Sequence, residues 1–142
     1  MATVQTRAKK QPDRSVGSCP FCACLSDRVI AENKWAVALL DGFPVSLGHT
    51  LIIPKRHIAS LDEATGRERA AMWALLAEVK QQVRNRHQPD GFNIGVNDGT
   101  AAGQTVMHLH VHLIPRYAGD QEDPRGGVRW VLPRHANYWD AQ

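Results

Sequence analysis

The chain has 142 residues, of which 43% are apolar, and this suits one domain around one hydrophobic core. Its formal net charge of +3 belongs to residues 1–18, which hold four basic residues and one acidic residue, so the remainder is formally neutral and lacks a broad nucleic-acid footprint. No stretch approaches the ~18 apolar residues of a membrane span, and no signal peptide or disulfide framework is indicated. We therefore expect a cytoplasmic protein whose partners include neither nucleic acid nor a membrane.

The N-terminal region divides at a cysteine pair. Residues 1–18 are polar and have no apolar stripe, which is typical of a disordered tail, and residues 19–142 are expected to form the domain. Cys19 and Cys22 make a Cys-x-x-Cys motif, which serves both redox and zinc chemistry. A redox pair normally follows a buried strand, whereas this pair follows a polar tail. Two interpretations of the motif stay open: a zinc site, and reduced thiols without a role. The choice between Cys22 and Cys24 as the partner of Cys19 is also open.

Short strands are expected on both sides of one long helix. Thr65 and Glu68 form a Thr-x-x-Glu capping box, which predicts the start of the helix, and the sequence at residues 88–91 contains the Pro and Gly that predict its end. Apolar residues recur at helical spacing between these signals and predict a buried stripe, namely Met72, Leu75, Leu76, Val79 and Val83. The order of elements predicts an α+β domain with an antiparallel sheet of about five strands. The expected strands are residues 28–32, 35–40, 50–53, 92–97 and 107–114.

A loop rich in small residues, 97–106, leads into the last of these strands. Such a loop lets backbone N–H groups approach an anion closely. Gln104 adds an amide and Thr105 a hydroxyl, and both groups bind phosphate oxygens without adding charge. The loop alone is a weak signal, because Asn97-Asp98-Gly99 is also an ordinary hairpin turn.

Three histidines at alternate positions, His108, His110 and His112, are the strongest functional signal in the chain. On a strand their rings face one way, while Met107, Leu109, Val111 and Leu113 face the core. Three interpretations are open: exposed histidines without a role, a zinc site built from rings two residues apart, and catalysis by a nucleophilic imidazole. Neutral histidine is a nucleophile near pH 7 and leaves readily once protonated, which suits stepwise phosphoryl or nucleotidyl transfer.

Two ordered motifs resemble the histidine triad (HIT) superfamily of nucleotide hydrolases and transferases. One is residues 103–114, with the His-x-His-x-His signature, and the other is residues 40–57, upstream of the helix. The resemblance covers about residues 19–117. It implies the HIT-like fold and a two-fold homodimer.

The resemblance also implies roles for individual residues. His110 is expected to be the nucleophile that takes the nucleotidyl group, and His112 and His49 its electrostatic partners at the α-phosphate. Asp41 is expected to accept hydrogen bonds from the ribose hydroxyls, with a turn-forming role ahead of Gly42 as the alternative. Phosphate and leaving-group contacts are expected from Asn97, Gly103, Gln104, Thr105 and Val106.

Family members with a cysteine pair hold a structural zinc, and the resemblance assigns its ligands here. They are Cys19, Cys22, His57 and His108, and two thiolates with two imidazoles suit tetrahedral zinc. The assignment divides the triad, because His108 becomes a structural ligand while His110 and His112 remain for chemistry. Magnesium associated with the substrate is a further expectation.

The implied function is a nucleotide hydrolase or nucleotidyl transferase that cleaves at the α-phosphate of adenine nucleotide derivatives such as diadenosine tetraphosphate. Residues 114–117 resemble the dinucleoside polyphosphate hydrolase branch more than the phosphoramidase branch. The alternatives are a purine nucleoside phosphoramidase, a dinucleoside polyphosphate phosphorylase, a nucleotide-binding signalling protein with slow turnover, and a redox or zinc-handling protein. Residues 118–142 lie outside the shared motifs. There Arg125, Arg129 or Trp130 either reach distal groups of the substrate or belong to a solvated loop. Trp130, Tyr138 and Trp139 are alternatively expected to cover a dimer partner.

Overall fold

A computed structural model describes residues 19–23 and 27–140, and its centre is one five-stranded sheet. All neighbouring strands are antiparallel, in the order β1-β2-β3-β5-β4. The predicted α+β class, with an antiparallel sheet and one long helix, is confirmed. The predicted tail, residues 1–18, and Cys24 lie outside the described residues. The strands are β1 (Val29–Glu32), β2 (Ala36–Leu40), β3 (Thr50–Pro54), β4 (Gly91–Gly95) and β5 (Val111–Arg116).

The long helix connects β3 to β4. The helices are α1 (Pro20–Ala23), α2 (Gly66–His87) and α3 (Pro133–Ala136), with 3₁₀ turns at Leu61–Glu63, Thr100–Ala102 and Gly127–Val131. The predicted capping box starts α2, since the Thr65 hydroxyl accepts from the Glu68 N–H and the Glu68 carboxylate accepts from the Thr65 N–H. The predicted apolar stripe is buried, as expected of core packing. Within the described residues no helix is long and apolar enough to cross a membrane.

The two faces of the sheet carry separate apolar clusters. The stripe of α2 packs on one face with Ile52, Val111 and Leu113. The opposite face carries a smaller cluster that joins the N-terminal segment to β2 and β3, made of Cys19, Phe21, Val37, Leu39, Leu51 and Ile53. The N-terminal cysteine pair is thereby placed on the face of the sheet opposite α2.

The last strand begins later than the sequence predicts. β5 starts at Val111, so only one of the three triad residues is in a strand. Continued pairing would set Leu109 against Pro54, but the Leu109 N–H donates to the Ile58 carbonyl at 2.6 Å. The Pro54 carbonyl accepts from the ring of His108 at 2.8 Å. A side chain therefore takes the place of a backbone donor, and the ladder stops.

Other boundaries and burial differ in smaller ways. Leu109, Val111 and Leu113 are buried as predicted, but Met107 is 41% exposed because it lies in the loop ahead of the strand. β4 covers Gly91–Gly95 instead of residues 92–97, and it ends where its last residue pairs with His112.

Candidate active site

Four side chains from three segments, each with a sulfur or nitrogen atom that could bind a metal, converge at the first triad residue. We call Cys19, Cys22, His57 and His108 the thiol cluster; their candidate ligand atoms all lie within 4.8 Å of one another. The Nδ1 atom of His108 lies 3.5 Å from the Sγ atom of each cysteine, and the Nδ1 atom of His57 lies 3.3 Å from Sγ of Cys22. Tetrahedral zinc, with Zn–S near 2.3 Å and Zn–N near 2.0 Å, requires nitrogen–sulfur separations of about 3.5 Å. The spacing therefore fits a tetrahedral ion.

The tautomer of His108 also fits a metal ligand. Its Nε2 atom lies 2.8 Å from the Pro54 carbonyl oxygen, which only accepts, so Nε2 carries the proton in the neutral ring. Nδ1 then presents its lone pair to the two thiols. Burial lowers the pKa of His108, with the nearby His57 and His110 acting in the same direction and the Pro54 carbonyl opposing them. The neutral imidazole that a metal requires is thus the favoured form.

A second group of polar side chains, which we call the imidazole cluster, lies directly beyond the first: Asp41, His49, His110 and His112. His110 is 7% exposed, and its Nδ1 atom donates to the His108 carbonyl at 2.7 Å. The Nε2 atom of His110 therefore holds the lone pair of the neutral ring. Nε2 has no hydrogen-bond partner among the described residues, and it is not an unsatisfied atom sealed from solvent. The ring offers a nucleophilic nitrogen that a ligand can reach.

A relay of hydrogen bonds fixes the other two rings of the imidazole cluster. The Val45 N–H donates to Nδ1 of His49 at 3.2 Å, so in the neutral ring the proton of His49 lies on Nε2. Nε2 of His49 lies 3.0 Å from Nδ1 of His112 and 3.4 Å from a carboxylate oxygen of Asp41. Donation from His49 makes Nδ1 of His112 an acceptor and leaves the proton of His112 on Nε2. The cluster therefore presents one lone pair, on His110, and one N–H donor, on His112, whose rings are 5.0 Å apart.

Burial sets the charge state of these rings. The pKa of His112 is lowered to about 4, chiefly by burial and in addition by His110 and His49, while Asp41 opposes them. Burial also lowers the pKa of His49, again against the raising effect of Asp41. Both rings are accordingly neutral near pH 7, which is the state that the relay requires.

Asp41 has two partners at this position. One carboxylate oxygen accepts from the Phe43 N–H at 2.8 Å, which is the turn-forming role, and the other lies beside His49. The turn and the predicted sugar contact are compatible, because a carboxylate has further lone pairs.

The residue before His49 has little freedom. Gly48 has a φ of +87°, and a Cβ atom built there would lie 3.0 Å from the ring of His87 and 3.2 Å from Val83, both on α2. A glycine is required both by the backbone conformation and by the close approach of the helix. The end of α2 thereby fixes the position of His49, the residue that precedes β3.

The predicted phosphate loop, residues 97–106, directly precedes the triad in sequence, and one side chain holds it in shape. Gln104 is buried; its amide donates to the Ala59 and Val106 carbonyls at 2.8 and 3.1 Å, and its oxygen accepts from the Gly99 N–H at 2.8 Å. Both amide hydrogens are therefore engaged by backbone carbonyls, one within the loop and one, that of Ala59, outside it. Among the other predicted contacts, Gly103 and Thr105 are exposed, whereas Asn97 and Val106 are partly buried.

The C-terminal residues with predicted distal contacts mostly bind one another. Arg129 donates to the Ala136 and His135 carbonyls, and Arg125 pairs with Asp123 at 2.7 Å. The indole N–H of Trp130 donates to the Arg125 carbonyl at 2.7 Å. These bonds hold residues 123–136 together as a unit beside β4.

Sequence reasoning missed the backbone groups that orient the rings. The carbonyls of Pro54 and His108 and the N–H of Val45 set three tautomers, yet every residue carries such groups. It also missed Phe21, which lies between the cysteines and contacts two triad rings. No sequence signal marks the backbone groups, but an apolar residue inside Cys-x-x-Cys is a visible candidate.

Comparisons with known proteins agree with this arrangement. A model of the HIT domain matches residues 24–119. An AP-4-A phosphorylase of Mycobacterium tuberculosis is 36% identical over 119 residues, which are 79% of this chain and 61% of that protein. Protein hit of Bacillus subtilis is 35% identical over 104 residues, which are 70% of this chain and 72% of that protein.

A solved structure gives the same result. A zinc-bound histidine triad family protein from Mycobacterium smegmatis has a TM-score of 0.69 and 37% identity, covering 76% of this chain and 81% of that one. The sheet order, the long helix and the divided triad define a histidine triad protein. The chain belongs to the HIT family, and its function is the handling of nucleotides.

Proposed function

We propose that the protein transfers a nucleotidyl group from the α-phosphate of an adenine nucleotide derivative, such as diadenosine tetraphosphate, to water through a covalent bond to His110. The observation that carries this proposal is the 2.7 Å hydrogen bond from Nδ1 of His110 to the His108 carbonyl. It commits the proton to one nitrogen and leaves the other as a nucleophile that a ligand can reach. The position of His112 beside it supports the same chemistry.

In the first step Nε2 of His110 attacks the α-phosphorus in line with the bond to the leaving group. A phosphorus–nitrogen bond forms, and the bond to the bridging oxygen breaks, so that the rest of the polyphosphate departs with the electron pair. The ring becomes cationic when its lone pair is used, and the His108 carbonyl stabilises the proton retained on Nδ1.

His112 acts on the phosphoryl oxygens in this scheme. Its Nε2–H would donate to a nonbridging oxygen as charge builds, because Nδ1 is held as an acceptor by His49. His49 therefore acts through His112, and Asp41 would accept from the ribose hydroxyls. The loop residues Asn97, Gly103, Thr105 and Val106 would complete the phosphate contacts, while Gln104 would act through the shape of the loop.

In the second step water attacks the same phosphorus from the side that the leaving group vacated. The phosphorus–nitrogen bond breaks, its electron pair returns to His110, the water proton is released, and the nucleoside monophosphate leaves. Two in-line displacements give net retention at phosphorus, which a chiral thiophosphate substrate would report.

A phosphorylase is the second candidate, and a specific comparison favours it. The relative from Mycobacterium tuberculosis is named an AP-4-A phosphorylase and is 36% identical to this chain. With inorganic phosphate as the acceptor in the second step, the product would be a nucleoside diphosphate instead of a monophosphate. Both reactions use the same intermediate and differ only in the acceptor.

The thiol cluster would hold zinc as a structural ion. Its two thiolates and two imidazoles have the donor chemistry and spacing that zinc prefers. The similar solved structure from Mycobacterium smegmatis is zinc-bound. Bound zinc supplies folding free energy by joining the N-terminal segment to the residues that precede β5. Substrate-associated magnesium, a homodimer and a cytoplasmic location stay predictions from the sequence.

The first test is product release from diadenosine tetraphosphate, run beside adenosine phosphoramidate, with and without inorganic phosphate, and with a His110→Asn control. Monophosphate release that the control abolishes is the expected result. Release of a nucleoside diphosphate only when inorganic phosphate is present would favour the phosphorylase. Tight nucleotide binding without turnover of either compound would contradict the enzyme.

A further inference from the structure

Phe21 connects the two clusters physically. It lies between Cys19 and Cys22 in the short helix α1, is 7% exposed, and packs in the smaller apolar cluster on the face opposite α2. Its ring meets the ring of His110 edge to face, with centroids 5.1 Å apart and an interplanar angle of 74°. It also meets His108 at 5.9 Å and 66°. One aromatic side chain therefore touches the first two rings of the triad.

One hydrogen bond and two neighbouring rings bear on the orientation of the His110 ring. The ring is bonded through Nδ1 to the His108 carbonyl and is flanked by Phe21 and by His112 at 5.0 Å. A half-turn of the ring about its bond to Cβ would move Nδ1 away from that carbonyl and remove Nε2 from its outward position. The hydrogen bond opposes this rotation electrostatically, and a buried aromatic wall opposes it sterically.

We infer that Phe21 is a positioning residue that keeps Nε2 of His110 directed at the reacting phosphorus, and that the thiol cluster holds Phe21 in place. The inference rests on the proposed function for its kinetic consequence, but not for the ring orientation itself. Cys22 follows Phe21 directly and Cys19 precedes it by two residues, and both sulfurs lie 3.5 Å from Nδ1 of His108. Any ion that fixes these two sulfurs also fixes the aromatic ring between them.

This coupling gives the cysteine pair a role in rate as well as in stability. Phe21 is separated from His110 by most of the chain, so the contact exists only when the N-terminal segment is docked. In a chain with an undocked segment the wall is lost, so that the carbonyl bond alone opposes rotation and the His110 ring also samples orientations that do not react.

The test combines two Phe21 variants with a control from the same apolar cluster. Phe21→Leu keeps the site apolar but removes the flat ring, and Phe21→Met is the second variant should leucine prevent folding. Val37→Ala is the matched control, because Val37 is buried in the same cluster but lies on β2, which β3 separates from β5. The measurements are zinc per chain, imidazole ¹H–¹⁵N correlation spectra of the free protein, and kcat and KM on diadenosine tetraphosphate.

We expect the Phe21 variants to retain zinc. The imidazole resonances of His110 are assigned by their absence from the spectrum of His110→Asn. In the Phe21 variants their chemical shifts should move from those of the single Nδ1–H tautomer to an average of both tautomers. We expect kcat to fall roughly three- to tenfold with KM unchanged, since an edge-to-face aromatic contact is worth about that factor. Val37→Ala should leave the His110 resonances and kcat as in the unmodified protein.

Several results would overturn the inference. Unchanged His110 resonances in the Phe21 variants would make Phe21 a filler of the core. A raised KM with kcat retained would place Phe21 in contact with substrate instead, and loss of zinc together with kcat would make its role structural. The spectra need no substrate, so a protein without turnover would contradict the proposed function while the positioning of His110 is still tested.

Discussion

The thiol cluster and the imidazole cluster adjoin at residues 108–112, but they differ in whether the histidine ring nitrogens have partners within the protein. In the thiol cluster both ring nitrogens of His108 have protein partners, namely the Pro54 carbonyl and the two thiols. In the imidazole cluster Nε2 of His110 and Nε2 of His112 have no hydrogen-bond partner among the described residues. A closed ligand set suits a structural ion, whereas atoms left available suit chemistry. Adjacent histidines thus acquire different uses from the groups around them.

The largest expected effect separates the two clusters at His110. His110→Asn removes the nucleophile, so we expect turnover to fall by about 10⁴-fold or more. The thiol cluster is untouched, so zinc content and the unfolding temperature should stay close to those of the unmodified protein. Product assays, metal analysis and calorimetry on one preparation check all three. A variant that keeps most of its turnover would contradict the covalent step.

The converse change is Cys22→Ser in the thiol cluster. Loss of a thiolate ligand should remove zinc and lower the unfolding temperature by roughly 10 °C, because ion binding contributes directly to folding. The imidazole cluster keeps all its residues, so measurable turnover should persist below the unfolding temperature. Full zinc occupancy in this variant would show that Cys22 is not a ligand.

Stability should also depend on pH through the buried ring of His112 in the imidazole cluster. The pKa of His112 lies at about 4 in the folded protein, below its ordinary value of 6.5, so the unfolded chain binds the proton more readily. The stabilisation is complete above pH 6.5, is lost as the pH falls towards 4, and amounts to about 3 kcal/mol. Urea unfolding at a series of pH values measures it. His112→Asn should reduce the slope in this window, where the lowered pKa values of His49 and His108 also contribute, and an unchanged slope would contradict the assignment.

The smallest expected effect concerns the loop that leads into the triad. Gln104→Met removes three hydrogen bonds at nearly constant volume, so the loop loses its fixed shape. We expect KM to rise roughly threefold to tenfold, with kcat and zinc content little changed. Steady-state kinetics check this, and an unchanged KM would mean that the loop does not contact substrate.

The long helix could be predicted from local sequence patterns, whereas the grouping of the site residues could not. The capping box of Thr65 and Glu68 and the apolar stripe of α2 depend on neighbours three and four residues away, so they are visible in the sequence. The grouping of Cys19, Cys22, His57 and His108 was available only through the family resemblance, and the structure brings them together.

The start of β5 and the ring tautomers could not be predicted, and the reason is the same for both. The side chain of His108 bonds to the Pro54 carbonyl in place of a strand neighbour, and the Leu109 N–H turns to Ile58. Whether a side chain replaces a backbone N–H as the donor to a given carbonyl depends on which segments the tertiary fold brings together. Alternation of polar and apolar residues carries no information about them.

Gly48 ties the length of a helix to the placement of a histidine. The residue stands between the end of α2 and His49, with the rings and methyl groups of His87 and Val83 at contact distance from where a side chain would begin. Insertion of a single residue into α2 would rotate a different side chain into that space and displace the loop that carries His49. Substitutions on the exposed side of α2 should therefore leave this contact intact, whereas a change in the number of residues in its last turns should displace His49 from the imidazole cluster.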